Sequence, residues 1–225
     1  MRTVKVKICG ITREEDLESA CKLGADMVGF IVGFTLSPRS ISLERAKQLF
    51  NLVPVGVRSV LVIVPKSIEE ILEAYSHLKP DIIQVHGGFL DLRSLKRRLP
   101  ETKIVRAMLV IGVESIKRAI DEAAYFDGVL VDSHVAGKLG GTGVTHDWSI
   151  SKLVRDAIYP KPLVLAGGLN PSNVAEAIKV VKPYAVDVST SVELSPGVKD
   201  HAKIEAFIKE AKGVVLEDDY CGSNL

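Results

Sequence analysis

Short apolar runs alternate with amphipathic segments along nearly the whole chain, and they do so eight times. The runs are Val4–Ile8, Met27–Ile31, Ser59–Ile63, Ile82–Val85, Ile104–Met108, Gly128–Val131, Leu163–Leu165 and Ala185–Val188. Each is short and dominated by Val, Ile and Leu, the content of strands buried on both faces of a parallel sheet. Helical spacing of apolar residues follows over Glu14–Leu23, Leu43–Leu52, Ile68–Leu78, Leu90–Leu99, Glu114–Ala124, Ile150–Ala157, Pro171–Val180 and Lys203–Ala211. Eight strand–helix units of roughly 28 residues predict an α/β fold, a single (β/α)8 TIM barrel. A doubly wound open sheet uses the same alternation, and the count of eight favours closure. Residues 1–213 are expected to form this one domain, and 214–225, polar and acidic, reads as a disordered tail. Thr12 and Glu15 have the spacing of a capping box, Ser42 and Arg45 do not, and Asn170-Pro171 sets a cap residue before a proline at the first helical position.

Composition narrows the function classes. A formal charge of +1 gives no overall electrostatic case for nucleic acid or an anionic membrane surface. The three cysteines, Cys9, Cys21 and Cys221, are odd in number and lack metal-ligand spacing, which argues against a disulfide framework and a structural zinc site. No apolar signal region opens the chain and no apolar run reaches membrane-span length, so a cytoplasmic protein is expected.

Barrel chemistry gathers at the C-terminal ends of the strands. Strand one ends in Cys9, where alternation puts Lys5, Lys7 and Cys9 on one face. A thiol behind two lysines suits a thiolate, although a buried cysteine acting as a small hydrophobe is the commoner fate. Strand four ends in Gln84-Val85-His86-Gly87, with His86 either a second acid or base or a structural histidine. Strand six ends in Asp132, which three preceding apolar residues would desolvate, suiting it to donate a proton; a cap or turn aspartate is the alternative. Arg39, in the loop after strand two, offers a fork for a carboxylate or is a solvated surface arginine. Gly167 and Gly168 after strand seven expose backbone N–H groups, and Ser189, Thr190 and Ser191 after strand eight add hydroxyls, where barrels bind phosphate. Two ordinary tight turns would also explain the glycine pair. The run Gly140–Gly143 fits neither a Walker loop nor a dinucleotide fingerprint and reads as a lid.

The segments Lys7-Ile8-Cys9-Gly10-Ile11-Thr12, Gln84-Val85-His86-Gly87, Val131-Asp132-Ser133, Gly140-Gly141-Thr142-Gly143, Ala166-Gly167-Gly168-Leu169 and Val186-Asp187-Val188-Ser189 resemble the phosphoribosylanthranilate isomerases of tryptophan biosynthesis in order and spacing. Ser195-Pro196-Gly197-Val198-Lys199-Asp200 matches as well, and the resemblance spans about residues 3–212. It implies a barrel without metal or organic cofactor that acts on a small phosphoribosyl substrate; monomer and homodimer both stay open, because apolar outer helix faces read like core faces in the pattern. It implies Cys9 as general base, Asp132 as general acid, Arg39 as the anthranilate contact, and a phosphate held by the loops at Gly167-Gly168 and Ser189–Ser191. His86 and Asp187 join the expected substrate-binding set. Two positions depart from the family: Ser191 stands where Gly is usual, and His146 stands before Asp147-Trp148 where Phe is usual.

The implied reaction is an Amadori rearrangement. An acid protonates the furanose ring oxygen, the sugar opens to an iminium, and a base removes the proton on the neighbouring carbon to give an enolamine that becomes the ketone. A free thiol is only a few per cent ionised at neutral pH, so Lys7 is expected to lower the Cys9 pKa, with Asp187 able to pair with Lys7 and partly cancel the effect. A histidine-pathway sugar isomerase, which uses paired carboxylates, and a non-catalytic phosphosugar-binding barrel are the alternatives.

Overall fold

The computed structural model describes residues 1–87, 93–133, 147–217 and 225. Eight strands run parallel: β1 (Lys5–Cys9), β2 (Met27–Val32), β3 (Arg58–Ile63), β4 (Ile82–Val85), β5 (Lys103–Val110), β6 (Gly128–Ser133), β7 (Leu163–Leu165) and β8 (Ala185–Val188). The sheet runs β1-β8-β7-β6-β5-β4-β3-β2, and β1 then pairs with β2, so the sheet closes on itself. Closure removes the open-sheet alternative. The helices between and after the strands are α1 (Glu14–Lys22), α2 (Leu43–Phe50), α3 (Ile68–Leu78), α4 (Arg93–Arg98), α5 (Glu114–Ala123), α6 (Trp148–Ile158), α7 (Val174–Val181) and α8 (His201–Lys212). Among the described residues no helix is long and apolar enough to cross a membrane.

Period-two alternation divides the core into two layers. Inside the barrel Met27, Val60, Ile82, Val105, Leu130 and Val164 pack together with Cys9. On the outer face Val6, Ile8, Val28, Val129, Leu165 and Val186 meet the helices. Lys7 and Cys9 are buried on the inward face of β1, whereas Lys5, of the same parity but at the N-terminal end of the strand, is exposed and pairs with Asp26 at 3.0 Å.

Three short strands carry no periodicity and escape a sequence reading. Ser40–Ile41 extends the sheet beside Ile31 and Val32. Glu193–Ser195 and Val198–Lys199 form an antiparallel hairpin between β8 and α8. All three lie at the C-terminal end of the barrel, where they fix loops that a sequence leaves undefined.

Helix starts depart from expectation in two places. Thr12 does not cap α1; its hydroxyl donates to the Gly197 carbonyl at 2.6 Å, and the cap position falls on Arg13 without a side-chain bond. The acidic first turn of Glu14, Glu15 and Asp16 suits the positive end of that helix. Asn170 forms a local turn, accepting from the Ser172 N–H at 2.9 Å, and α7 begins only at Val174. Ser42, by contrast, accepts from the Arg45 N–H at 3.1 Å and caps α2. Val214 and Leu216 are buried, and Leu216 exchanges backbone bonds of 2.9 and 3.0 Å with Arg2. The Gly140–Gly143 run, His146, Cys221 and the start of the expected Leu90–Leu99 helix lie outside the described residues.

Gly29 sits opposite Cys9 at the seam where β1 meets β2. A Cβ there would lie 3.0 Å from Cys9 Sγ and 3.0 Å from Lys7 Cε, so only glycine leaves both side chains in place. Gly29→Ala is expected to destabilise the fold by about 1–3 kcal/mol, the range for overpacking a filled core. Urea denaturation measures it, and a loss under about 0.5 kcal/mol would mean that the seam yields freely.

Candidate active site

The inward alternation and the loops after the strands build one cavity at the C-terminal end of the barrel. Cys9 from β1, Arg39 from the β2–α2 loop, His86 after β4, Asp132 from β6, and Asp187 and Ser189 at the end of β8 line it. A second hollow adjoins it, lined by Gly167, Gly168 and Ser191. Asp132, Asp187, Ser189 and Thr190 face both, so the two are halves of one site. The ten residues singled out in the sequence therefore converge, although they span most of the chain.

Lys7 and Asp187 are direct neighbours across β1 and β8, and their side chains pair at 3.0 Å. Both are buried. Burial opposes the Lys7 charge, yet Asp187 and Cys9 together hold its ammonium above the ordinary lysine value. Cys9 feels the opposite balance. Burial pushes its thiol up, Lys7 pulls it back, Asp187 pushes it up again, and Lys199 pulls it down; the net direction is upward. The expected pull of Lys7 is present and Asp187 partly cancels it, but burial, which the sequence reading left out, reverses the net result. Desolvation outweighs one lysine whose charge is shared with a carboxylate, and at neutral pH Cys9 rests as the thiol.

His86 is driven down to about 4 by burial and by the positive charges of Lys7 and Arg106. It is neutral at neutral pH and offers hydrogen bonds in place of charge. The Gln84 amide nitrogen donates to its Nε2 at 2.8 Å, an arrangement that puts the ring proton on Nδ1. Arg106 anchors this strand end from outside the barrel through the Val85 carbonyl, at 3.1 Å, and the Gly87 carbonyl.

Arg39 is not a solvated surface group. Its Nε donates to Glu193 Oε1 at 2.8 Å and its Nη2 to Oε2 at 2.7 Å. Glu193 also accepts from Lys199 Nζ at 2.9 Å, and the Lys199 side chain is fully buried. Burial works against the Glu193 charge, but Arg39 and Lys199 hold its carboxyl below the usual range. Gly10, at φ +74°, makes room for this end of the site. A Cβ there would come within 2.8 Å of Arg39 Cδ and 2.9 Å of Ser189 Oγ. Glu193, Lys199 and Gln84 were missed as site residues in the sequence. The charge of Arg39 called for a carboxylate, but nothing in the chain said which one.

Gly167 and Gly168 both adopt positive φ, 85° and 68°, a conformation open to glycine that turns successive N–H groups toward one side. Ser189 Oγ is buried without a hydrogen-bond partner, a costly state for a hydroxyl that faces a cavity. Ser191 does not crowd the hollow. Its hydroxyl donates to the Leu169 carbonyl and ties the loop after β8 to the loop after β7. Among the described residues no cluster of His, Cys, Asp and Glu could hold a metal ion. An acid, a thiol, an arginine fork and a donor-rich hollow in one cavity can bind an anion and move protons at a neighbouring carbon.

A family model described as N-(5'phosphoribosyl)anthranilate (PRA) isomerase matches residues 6–210. The N-(5'-phosphoribosyl)anthranilate isomerase of Methanothrix thermoacetophila is 41% identical over 210 residues, covering 92% of this chain and 98% of that one. The crystal structure of phosphoribosyl anthranilate isomerase from Thermotoga maritima superposes with a TM-score of 0.84 at 38% identity, covering 94% of this chain and all of that one. A further phosphoribosyl anthranilate isomerase, solved in complex with reduced 1-(o-carboxyphenylamino)-1-deoxyribulose 5-phosphate, has a TM-score of 0.80 at 37% identity, over 94% of this chain and 100% of its own.

The charge balance around Cys9 gives a two-way test. Lys7→Met is expected to raise the thiol pKa, and Asp187→Asn to lower it by leaving Lys7 unopposed. The pH dependence of iodoacetamide alkylation, in a background with Cys21 and Cys221 replaced by serine, reads both. An unchanged midpoint in Lys7→Met would remove Lys7 from the tuning of Cys9.

Proposed function

This chain belongs to the N-(5'-phosphoribosyl)anthranilate isomerase family, and from that premise we infer its reaction and how its residues divide the work. It converts N-(5-phosphoribosyl)anthranilate to 1-(2-carboxyphenylamino)-1-deoxyribulose 5-phosphate, an Amadori rearrangement of tryptophan biosynthesis. One observation carries the assignment of roles. Cys9 and Asp132 line a single cavity from strands on different sides of the barrel, and the donor-rich hollow shares Asp132 with it.

The substrate has three recognisable parts, each matched by a different wall. Its phosphate suits the hollow, with the backbone N–H groups at Gly167 and Gly168, the unpartnered Ser189 hydroxyl, and Thr190 and Ser191 along its rim. Its carboxylate suits the N–H groups of Arg39 that Glu193 does not use. Its aromatic ring suits the apolar wall of Phe34, Val62 and Leu130. The ribose then lies between Cys9 and Asp132.

Asp132, as acid, protonates the furanose oxygen, and the ring opens to the iminium. Cys9, as base, removes the proton from the adjacent carbon, and the enolamine tautomerises to the ketone. A thiol held above its ordinary value is a stronger base once ionised, and Lys7 beside it stabilises the thiolate during proton abstraction. His86 and Asp187 complete the polar wall, His86 as a neutral hydrogen-bonding group and Asp187 as the partner that keeps Lys7 in place. The phosphoribosyl substrate is the partner this reading needs, and nucleic acid and membrane have no part in it. Every group used comes from one chain, so a monomer or a homodimer carries the complete site. The compartment we propose is the cytoplasm.

Cys9→Ser and Asp132→Asn are each expected to lower kcat by about 10²–10⁴, the range for losing a general base or acid. The decay of phosphoribosylanthranilate fluorescence, with substrate generated in the cuvette, follows the reaction. Near-parental turnover in either variant would remove that residue from the mechanism.

A further inference from the structure

We propose that Glu193 is a positioning residue for this reaction: backed by the buried Lys199, it fixes the guanidinium of Arg39 in the orientation that receives the substrate carboxylate. The inference rests on the reading of Arg39 as that carboxylate's contact.

Arg39 lines the cavity and Glu193 lies behind it, so Glu193 acts through the arginine. The contact uses both carboxylate oxygens, with Nε at 2.8 and 3.1 Å and Nη2 at 2.7 Å. A two-point contact of this kind sets the plane of the guanidinium as well as its distance. It leaves the remaining N–H donors, out of the five the group carries, for a second acceptor.

The backbone around the pair is equally constrained. Glu193 and Lys199 are cross-strand partners in the short hairpin after β8, where Gly197, at φ +84°, makes the turn. Lys199 Nζ donates to Glu193 Oε1 at 2.9 Å and to the Ser189 carbonyl at 3.1 Å. Ser189 borders both halves of the cavity. One buried ammonium therefore locates the arginine that meets the carboxylate and the loop that meets the phosphate. It spaces the two ends of the substrate relative to each other.

Charge counting gives Lys199 a second purpose. Arg39 and Glu193 alone would be neutral and would pull weakly on another carboxylate. With Lys199 the three groups carry a net +1, so Arg39 stays oriented without losing its attraction for an anion. A buried ion pair is a poor way to gain stability, since apolar side chains of similar size pack as well. Its value here is the orientation it imposes.

The test is a double-mutant cycle on the isomerase assay, with inorganic phosphate as a competitive inhibitor. Glu193→Gln is expected to raise KM about tenfold, the loss of one well-placed charged contact, while kcat falls by no more than about twofold and the phosphate Ki is unchanged. In the Arg39→Met background the same substitution is expected to change KM by less than about twofold, because Glu193 acts only through Arg39. Additive effects on KM, or a phosphate Ki that worsens in step with KM, would overturn the proposal. If Arg39→Met alone leaves KM unchanged, the reading of Arg39 fails instead, and the positioning role falls with it. Should Glu193→Gln not fold, Glu193→Asp keeps the charge but shortens its reach, and the same cycle decides.

Discussion

Lys7 sits where the sheet closes, its backbone paired with Met27 of β2 on one side and Asp187 of β8 on the other. Without that double pairing, β1 and β8 would be separate edges and their side chains would face solvent. With it, the inward faces of first and last strands meet, and a lysine, a carboxylate and a thiol are enclosed together. The ion pair is a consequence of closure and also a brace for it, because a buried charge left unpaired costs about 3–5 kcal/mol. The glycine at position 29 is set by the same geometry, since the lysine and thiol already fill the space a methyl group would need.

From this seam the electrostatics of the cavity follow. Enclosure raises the Cys9 thiol, and Lys7 alone does not overcome it because Asp187 shares the lysine's charge. The same enclosure, with Lys7 and Arg106, keeps His86 neutral. The cavity thus holds a weakly acidic thiol and an uncharged imidazole, and its fixed positive charge is concentrated on the Arg39, Glu193 and Lys199 cluster at one end. The far end offers N–H groups and hydroxyls. A dianionic phosphate and a carboxylate at opposite ends of one small molecule match that division, with Cys9 and its neighbouring Lys7–Asp187 pair between them.

Much of this was legible beforehand. The strands Ile82–Val85, Leu163–Leu165 and Ala185–Val188 and the helix Ile68–Leu78 have the limits that their apolar pattern predicts, because burial on both faces of a strand, or on one stripe of a helix, writes itself into residue type. The strand ends that carry Cys9, Asp132 and Ser189 were legible for the same reason. The Thr12 capping box was not, since its hydroxyl has a better acceptor in Gly197, 185 positions away in the chain. The short strands at Ser40–Ile41, Glu193–Ser195 and Val198–Lys199 left no periodic trace, and the partners of Arg39 were hidden with them. Ser191, which stood out against its family's pattern, proves to bond the Leu169 carbonyl across the rim.

By itself the sequence determined the eightfold alternation, the inward face of each strand and the chemical types waiting at the strand ends. These are local properties, carried by side-chain period and composition. Only the tertiary structure decided which charges meet: that Lys7 belongs to Asp187 before it belongs to Cys9, and that Arg39 is held by Glu193 and Lys199. The reason is physical. A hydrogen-bonded ion pair is settled within about 3 Å, and residues 180 positions apart reach that distance only once the sheet has closed.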